Sequence, residues 1–310
     1  MKDDLILGAG TAGIITSLFT KAKMIDPKPL GELGLPFSPG IRIFKWELEV
    51  VQFISYWLPK WYPEFSIKRE TLKIGYKTDD GVFNCATEKF KETYSLITRG
   101  KQEYEPSFLS SGQNSISYVS INGLGYEGSY EFFFKSALEY LKTKGKLIEE
   151  KVTFVDIGSK TVRCGDKKYN YKHLYSCIKR PILERLMDKI SGEDFSTTKK
   201  SFYRTIKMID GGIMGYAYIY SITDEWTRKT EFGRYYVYET TKPILSDHFE
   251  HDNEITDTFE DIPLQIQKSL SQTNYYGVEL VGRYAEWNHA IKANEIIQRF
   301  AQRLKFKVNG

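Results

Sequence analysis

Three glycines and one acid near the start of the chain have the types and the spacing that can hold a dinucleotide. Gly8, Gly10 and Gly13 satisfy the pattern G-x-G-x-x-G within LILGAGTAGIITSLFTKAKMID. The first glycine allows a sharp turn, the second lets the backbone approach a pyrophosphate, and the third lets a helix pack closely on a strand. Asp26 follows at a distance where its carboxylate can bind a ribose hydroxyl. A tight turn that holds no ligand is the alternative.

Local patterns place this motif between a strand and a helix. The apolar run from Leu5 to Leu7 predicts a buried parallel strand, and Thr11–Lys21 predicts a helix. AKMID then predicts a second strand that ends at Asp26. The start of the helix would point its N–H groups and the positive end of its dipole at the phosphates. Asp26 follows Gly8 by 18 residues, slightly fewer than the usual spacing of about 20, so this crossover helix should be short.

A second glycine turn lies near the end of the chain. GVELVGRYAEWNHAIKANEIIQRFAQRLKF predicts a strand, a turn at Gly282 and a helix that ends at Leu304. With both glycine turns, the chain resembles the FAD-containing superfamily of amine oxidases and UDP-galactopyranose mutases, whose late Gly-Arg segment precedes a helix beside the flavin. INGLGYEGSYEFFFKSALEYLKTKGKLI is similar, more loosely, to a glycine-then-helix segment of that family. The family's paired glycines after the ribose acid appear here only as the separated Gly31 and Gly34.

The resemblance implies the fold class and the cofactor, FAD. The expected fold is α/β: a Rossmann-like FAD-binding domain of glutathione-reductase-like flavoprotein architecture, with an interleaved antiparallel-sheet substrate domain. We expect the FAD-binding domain at 1–40, 120–195 and 270–310, and the substrate or cap domain at 41–119 and 196–269.

The resemblance also implies which residues bind FAD. Those expected at the pyrophosphate are Gly8, Ala9, Gly10, Thr11 and Gly13. Asp26 would bind the adenosine ribose, and Val152 would belong to the strand whose backbone meets the adenine. Gly282 and Arg283 would lie near the pyrophosphate or the isoalloxazine ring. The start of the final helix, from Asn288 to Ile291, would approach the pyrimidine edge of the flavin.

Two tyrosine-rich segments are expected to form the wall of a substrate pocket. GGIMGYAYIYS and EFGRYYVYET alternate as strands and are separated by the turn-like ITDEWTRKT, which predicts an antiparallel pair. Phenol rings can stack on a flat ligand, and arginines can bind phosphate or carboxylate. The predicted substrate-binding residues are Tyr218, Tyr220, Arg228, Arg234 and Tyr236. Cross-strand packing is the alternative role for each tyrosine.

His289 is the candidate catalytic residue, because a histidine at the start of the flavin-side helix can act as a general base. A solvated or hydrogen-bonded histidine is the alternative. DHFEHD has mixed spacing and no third element to complete a metal site, so no metal is predicted.

The remaining segments give coarser expectations. KWELEVVQFISYWLPKWYPEF predicts an aromatic amphipathic helix up to Leu58, and the stretch from Ile67 to Ser120 predicts short strands. A helix near Tyr130–Lys142 should be followed by strands at Val152–Asp156 and His173–Ile178, with a hairpin turn between them. Residues 246–261 are acidic and predict a loop.

Composition narrows the function classes. The formal net charge of +4 over 310 residues is too small for a dedicated nucleic-acid binder. Cys85, Cys164 and Cys177 have no spacing typical of a disulfide framework or a zinc site. Neither a signal peptide nor a membrane span is predicted, and a cytoplasmic location is expected. No GxSxG, P-loop or HExxH motif is present.

Three functions remain in competition. The first is an FAD-dependent oxidoreductase that moves a hydride from an amine or alcohol carbon of a small or nucleotide-linked substrate to the flavin. The second is a mutase resembling UDP-galactopyranose mutase, in which reduced flavin attacks a sugar carbon and Arg180, Arg228 and Arg234 are candidates to bind a diphosphate. The third is a flavoenzyme that modifies nucleotides or nucleic acid through the basic-aromatic residues Lys199, Lys200, Phe202, Tyr203 and Arg204. Nucleic acid is not the favoured partner.

Overall fold

The computed structural model describes residues 3–29, 42–99, 114–189, 191–192, 195, 197–206, 218–232, 235–240, 258–263, 273–287 and 291–304. Within these ranges the backbone alone is described at 98–99, 127, 197–206, 218, 232, 235 and 258–263.

Strands and helices alternate along the described part of the chain. The strands are β1 (Asp3–Leu7), β2 (Lys23–Ile25), β3 (Ile67–Thr78), β4 (Gly81–Phe83), β5 (Ser115–Ile121), β6 (Leu147–Ile148), β7 (Phe154–Asp156), β8 (Thr161–Cys164), β9 (Lys167–Ser176), β10 (Thr197–Ile206), β11 (Tyr218–Ser221), β12 (Arg228–Phe232), β13 (Tyr235–Thr240), β14 (Thr258–Pro263), β15 (Asn274–Tyr275) and β16 (Val278–Leu280). The helices are α1 (Thr11–Thr20), α2 (Leu48–Trp57), α3 (Glu88–Arg99), α4 (Gly125–Thr143), α5 (Arg180–Leu186) and α6 (Ala293–Arg303).

The first sheet has a parallel centre in the order β16-β9-β1-β2-β6. β15 extends it as an antiparallel edge, and β7 and β8 join through β9. The carboxyl ends of β1, β9 and β16 lie at one edge, since the Cys177 N–H donates to the Leu7 carbonyl at 2.8 Å and the Val281 N–H donates to the Ser176 carbonyl at 2.9 Å. Ligands of open α/β sheets bind outside this edge, where the strand order reverses. Both glycine turns follow strands that end there.

The second sheet has the order β14-β10-β13-β12-β11-β3-β4, and β5 pairs with the first half of β3. All of its pairs are antiparallel except β11 with β3. α3 covers one face of it, where Tyr76, Phe90, Tyr94 and Tyr220 pack together. The division into domains stays a prediction, although each sheet draws its strands mainly from the ranges expected for one domain.

The main core lies between the parallel sheet and the helices α1, α2, α4 and α6. Apolar side chains at helical spacing meet there, among them Ile14, Phe53, Phe133 and Phe300. The rings of Phe19 and Phe53 stack with centroids 4.9 Å apart. This packing holds α1 and α6, the two helices that follow the glycine turns, on the same side of the sheet.

The structure confirms several sequence predictions in detail. β1, α1 and β2 fall where the strand, the short helix and the second strand were expected, and Asp26 directly follows β2. α2 ends at Trp57, one residue before the predicted end at Leu58, and a 3₁₀ turn with Pro59 follows at Leu58–Lys60. The turn at Gly165 and the strand, turn and final helix at the end of the chain are also as expected.

Other sequence predictions were wrong. The turn-like ITDEWTRKT leads into β12, which lies between the two tyrosine-rich strands, so β11 and β13 do not pair with each other. The stretch expected to hold only short strands contains the long β3 and α3. α4 begins at Gly125 rather than near Tyr130, and β14 occupies the end of the expected acidic loop. Val152 lies before β7 instead of within it.

No helix in the described ranges combines the length and apolar character that crossing a bilayer requires. The same residues contain no group of three histidine, cysteine or acidic side chains placed to hold a metal ion.

Candidate cofactor site at the two glycine turns

The first glycine turn joins β1 to α1 with little space inside it. Gly8 has φ of +96°, in the region that favours glycine. A Cβ at Gly13 would overlap the carbonyl oxygen of Gly8, so the first turn of α1 packs directly on the end of β1. A Cβ at Gly10 would meet no atom within 4 Å. The backbone at Gly10 therefore faces open space, as a turn that receives a pyrophosphate must.

Asp26 reaches back to this turn from the end of β2. Its Oδ2 accepts the Ala9 N–H at 2.7 Å, and its Oδ1 accepts the Lys28 N–H at 2.8 Å. Each oxygen keeps one more lone pair, because a carboxylate oxygen accepts about two hydrogen bonds. The acid is thus fixed beside the glycine turn and still able to accept from two hydroxyl groups.

The second glycine turn packs on the first. Gly282 also has φ of +96°, and a Cβ there would lie 2.9 Å from the Cβ of Ala12 in α1. The carboxylate of Glu286 fixes this turn, because Oε1 accepts the Gly282 N–H at 2.9 Å while Arg299 of α6 donates to both oxygens at 2.7 and 3.0 Å. Arg283, the next residue, therefore lies near the start of α1.

Two side chains that the sequence analysis did not select also lie at this place. The phenol of Tyr130 on α4 lies 3.5 Å from the Thr11 hydroxyl, and the Arg42 guanidinium lies 6.0 Å from the centre of its ring. Burial raises the pKa of Tyr130, while the charges of Arg42 and Arg283 act in the opposite direction. Two arginines thus flank the first residue of α1. The sequence around Arg42 does not indicate this position, because Arg42 follows a proline- and glycine-rich stretch that contains no motif.

Three more cations lie where the two sheets meet. Lys292 directly precedes α6, Lys45 precedes α2, and Arg228 belongs to β12. Burial lowers the pKa of Lys292 to about 8, with further lowering by the charges of Arg283, Lys45 and Arg228 and an opposing effect of Glu295. We call the five residues Arg42, Lys45, Arg228, Arg283 and Lys292 the cationic junction. A lysine at the start of a helix opposes the helix dipole, and this unusual placement is the signal that could have identified Lys292.

The cysteine beside the first glycine turn is not a reactive thiolate. Cys177 lies with its Sγ 4.0 Å from the Thr16 hydroxyl, and burial raises its pKa to about 12. Thiols act as nucleophiles in their ionised form. The chemistry of this site therefore does not come from Cys177.

The predicted substrate residues do not all lie on one face of the second sheet. Tyr220 is opposite Arg228, and Arg228 is opposite Glu239, so these three share the face that leads to the cationic junction. Glu239 forms an ion pair with Arg228. Tyr236 lies on the opposite face, where Lys229 places its Nζ 4.0 Å from the centre of the tyrosine ring. Tyr220 and Tyr236 therefore cannot line one pocket from the same sheet face.

Several other predicted residues can be placed only in part. The backbone of Tyr218 lies in β11, whereas Arg234, Asn288 and His289 lie outside the described residues. Ile291 packs against the main core beside α6. Val152 packs on the other face of the parallel sheet. Lys199, Lys200, Phe202, Tyr203 and Arg204 form the backbone of β10, and their side chains are not described.

Arg180, considered for a diphosphate, is buried at the start of α5. Its Nε donates to Glu184 at 3.3 Å, and its guanidinium lies 3.6 Å from the centre of the Tyr275 ring. Its two terminal nitrogens have no hydrogen-bond partner among the described residues. This arginine does not belong to the cationic junction.

Comparisons with known proteins relate the fold to flavoproteins. A solved reduced UDP-galactopyranose mutase is 11% identical over 100% of this chain and 97% of its own, with a TM-score of 0.67. An oxidoreductase from Methanosarcina mazei is 9% identical over 99% of this chain and 100% of its own, with a TM-score of 0.62. A double mutant of putrescine oxidase is 8% identical over 98% of this chain and 99% of its own, with a TM-score of 0.58.

No protein-family model matches the chain, and no curated protein sequence matches it. At such low identities the structural likeness establishes the fold and leaves the reaction open. The chain shares the fold of these solved enzymes, with a Rossmann-type parallel sheet and a second, mostly antiparallel sheet, as the sequence predicted.

Proposed function

We propose that this protein is an FAD-dependent oxidoreductase that accepts a hydride from an amine or alcohol carbon of a small or nucleotide-linked substrate. One observation carries the proposal: the two glycine turns are in contact, with Asp26 at one side and Arg42 and Arg283 at the other. This arrangement offers an acceptor for ribose hydroxyls on one side of the turns and donors for a pyrophosphate on the other.

Each part of the site would bind a different part of FAD. The open backbone at Gly10 and the start of α1 at Thr11 would receive the pyrophosphate, and Arg283 would balance its charge. Asp26 would accept from the adenosine ribose. When bound, FAD would supply the redox chemistry, because an isoalloxazine ring can accept a hydride and return the electrons to an acceptor.

Arg228, on the face of the second sheet that leads to the cationic junction, would contact the substrate, while Tyr220 on the same face is packed against α3 and would support that wall from within. The position of this face beside the cationic junction supports this role, whereas Tyr236 on the opposite face would stabilise the sheet by packing. Tyr218 and Arg234 remain proposed substrate contacts, and His289 remains the proposed general base. A cytoplasmic location is proposed as well.

The cationic junction favours a second candidate, a mutase that uses reduced flavin on a sugar nucleotide. Such a substrate carries a diphosphate, and cations that gather beside a flavin site would suit it. The two candidates differ in their need for electrons. An oxidoreductase substrate should bleach the oxidised flavin anaerobically, whereas a mutase should convert a UDP-sugar only after dithionite has reduced the flavin.

The absorbance spectrum of the purified protein, followed by release and identification of the chromophore, tests the flavin assignment. We expect the bands of oxidised flavin and the release of FAD. A protein that stays colourless after incubation with FAD would contradict both candidates. Gly10→Ala is the matched variant, because its methyl group meets no protein atom within 4 Å and should obstruct only the cofactor. We expect FAD affinity to fall at least about 10-fold while the unfolding free energy changes by less than about 0.5 kcal/mol.

A nucleic-acid substrate would show a different signature. Binding to DNA or RNA should then weaken steeply as the salt concentration rises, because phosphate contacts release counterions. We expect no such binding.

A further inference from the structure

Arg180 begins α5, which packs on the face of the parallel sheet opposite α1 and α6. Its side chain is 1% exposed. Its backbone N–H donates to the Tyr284 carbonyl at 2.9 Å, and the Val281 N–H donates to the Ser176 carbonyl at 2.9 Å. The segment from Ser176 to Arg180 therefore runs beside the second glycine turn, at the edge of the sheet where the strands end.

Two neighbours fix the orientation of the Arg180 guanidinium group. Its Nε donates to Oε1 of Glu184 at 3.3 Å, and its Cζ lies 3.6 Å from the centre of the Tyr275 ring. Glu184 is itself 5% exposed, and its Oε2 accepts the N–H and the hydroxyl of Ser191 at 3.2 and 2.9 Å. The carboxylate takes the Nε and the ring covers one face, so the end that carries the two Nη atoms remains.

The two Nη atoms of Arg180 are buried and have no hydrogen-bond partner among the described residues. They carry four N–H donors. An ion pair and stacking on a ring are the ordinary structural role of a buried arginine, but here they leave these charged donors unsatisfied. Because a buried charged donor without an acceptor strongly destabilises a folded protein, the two nitrogens indicate a missing acceptor.

Two further buried groups without a partner in the described part of the chain belong to the same two segments. Ser176 ends β9 and by alternation faces the same side as Leu174, in the apolar cluster that includes Tyr275. Trp287 follows the second glycine turn and packs edge-on against Phe195, with ring centres 5.0 Å apart. The Ser176 Oγ and the Trp287 Nε1 are both unpaired there. An indole or guanidinium nitrogen can only donate, so the missing group is an acceptor.

Two lysines that flank α5 lie on tyrosine rings. The Lys179 Nζ lies 5.7 Å from the centre of the Tyr284 ring, and the Lys189 Nζ lies 6.0 Å from the centre of the Tyr276 ring. Lys189 is tied to α5, because its N–H donates to the Glu184 carbonyl at 2.9 Å. Both lysines add to the positive charge of the buried guanidinium group and favour an anion.

We propose that the end of the Arg180 guanidinium group binds the carboxylate of a small molecule other than the cofactor. Two Nη atoms in one plane match the two oxygens of a carboxylate, which accepts about four hydrogen bonds and has room for further donors. A phosphate carries more charge and volume, which a buried place accommodates at greater cost. This inference goes beyond the proposed function and does not depend on it, because Arg180 is not among the proposed FAD contacts.

Urea unfolding of the whole chain tests this with acetate as the probe, because its small size suits a buried site. We expect about 100 mM acetate to lower the unfolding equilibrium constant of the wild type about 10-fold relative to chloride at equal ionic strength, since a ligand that binds only the folded state stabilises it. Acetamide has a similar shape but no charge and only one acceptor oxygen, so it should have no effect.

Two variants assign the effect to Arg180. Arg180→Lys keeps the charge but lacks the paired Nη atoms, and Arg180→Gln removes the charge. Both should lose the response to acetate, whatever their own stability. Arg185→Gln is the control, because Arg185 is an exposed arginine on the same helix, and it should respond like the wild type. If one Arg180 variant does not fold, the other still gives the comparison.

The proposal is overturned if the wild type does not respond to acetate, if the Arg180 variants respond like the wild type, or if inorganic phosphate acts at lower concentration than acetate. The same measurement on FAD-loaded protein should give the same response to acetate. Loss of the response on loading would place the guanidinium group among the cofactor contacts and would also contradict the proposal. Failure of the flavin assignment would look different: the wild type would take up no FAD, and its response to acetate would stay.

Discussion

Gly10 and Gly13 lie in the same turn, but only Gly13 is required to be glycine by the packing of the folded protein itself. At Gly13 the backbone of α1 touches the carbonyl oxygen of Gly8, so a methyl group has no space within the folded protein. We expect Gly13→Ala to lower the unfolding free energy by about 1 to 3 kcal/mol, because strand and helix must move apart. Urea unfolding of the apoprotein measures this. Gly10→Ala is the control and should leave stability unchanged; equal losses in both variants would contradict the distinction.

Lys292 should also affect how the stability of the apoprotein depends on pH. Its pKa is about 8 in the folded protein and near 10.5 when unperturbed. Between these values the unfolded chain binds one proton more than the folded chain, so this group makes stability rise with pH. Below pH 8 the lysine is charged in both states, and the penalty of its burial is fully present.

The comparison of wild type with Lys292→Gln isolates that contribution. From pH 7.5 to 9.5, stability of the wild type should gain about 1 to 2 kcal/mol relative to the variant, a value reduced for partial exposure to solvent. Urea unfolding of both apoproteins at several pH values provides the measurement. Parallel curves would show that the lysine is solvated in the folded protein.

At the scale of elements, the second glycine turn depends on the ion pair between Glu286 and Arg299. Glu286 is only 1% exposed, so removal of Arg299 leaves a buried carboxylate with the Gly282 N–H as its remaining partner and no positive charge to balance it. We expect Arg299→Met to destabilise the protein by about 3 to 5 kcal/mol. Because the same carboxylate accepts the Gly282 N–H, the variant should also displace Arg283 and weaken FAD binding.

Another ion pair of the same helix serves as control. Arg303 of α6 pairs with Glu279 of β16 at 2.6 Å, but the arginine side chain is 55% exposed. Arg303→Met should destabilise the protein by less than about 1 kcal/mol and leave FAD binding unchanged. If both variants lose the same stability, burial does not distinguish the two pairs.

Elements that carry a strong local signal could be predicted from the sequence, and elements formed through long-range pairing could not. Apolar runs and glycines located β1, α1, β2 and the final helix. β12 has the polar sequence RKTEF, which resembles a turn, and it becomes a strand because neighbours on both sides complete its hydrogen bonds. α3 has a local signal of its own: Thr87 caps the helix by accepting the Phe90 N–H at 3.1 Å, and Phe90 and Tyr94 share its buried face.

In the candidate site, too, residues with a local sequence signal could be predicted and residues brought in by tertiary packing could not. Both glycine turns and Asp26 could be identified from spacing, because each depends on the conformation of a few consecutive residues. Arg42 and Tyr130 come from distant parts of the chain, and only tertiary packing brings them to the start of α1, as it brings Lys45 to the start of α6. Which sheet face a tyrosine occupies depends on strand register, which the sequence alone did not reveal for Tyr236.

At the scale of the whole molecule, Asn294 connects the candidate cofactor site with the segment that leads into the second sheet. It is 3% exposed and bonds to the backbone of both Lys45 and Ile43. That segment continues to Trp46, whose N–H donates to the Ser117 carbonyl of β5 at 3.0 Å. One side chain of α6 thus positions two cations of the junction and a contact with the other sheet.

Asn294→Ala should therefore have two separable effects. Two buried backbone groups lose their partners, so we expect the unfolding free energy to fall by about 2 kcal/mol. The segment that carries Arg42 and Lys45 also loses its anchor, so FAD affinity should fall although Asn294 lies outside the proposed cofactor contacts. FAD titration under conditions where the variant is fully folded separates the second effect from the first. Gln302→Ala, an exposed change on the same helix, should alter neither quantity. A variant that is less stable but binds FAD like the wild type would mean that packing of Phe44 alone positions the segment.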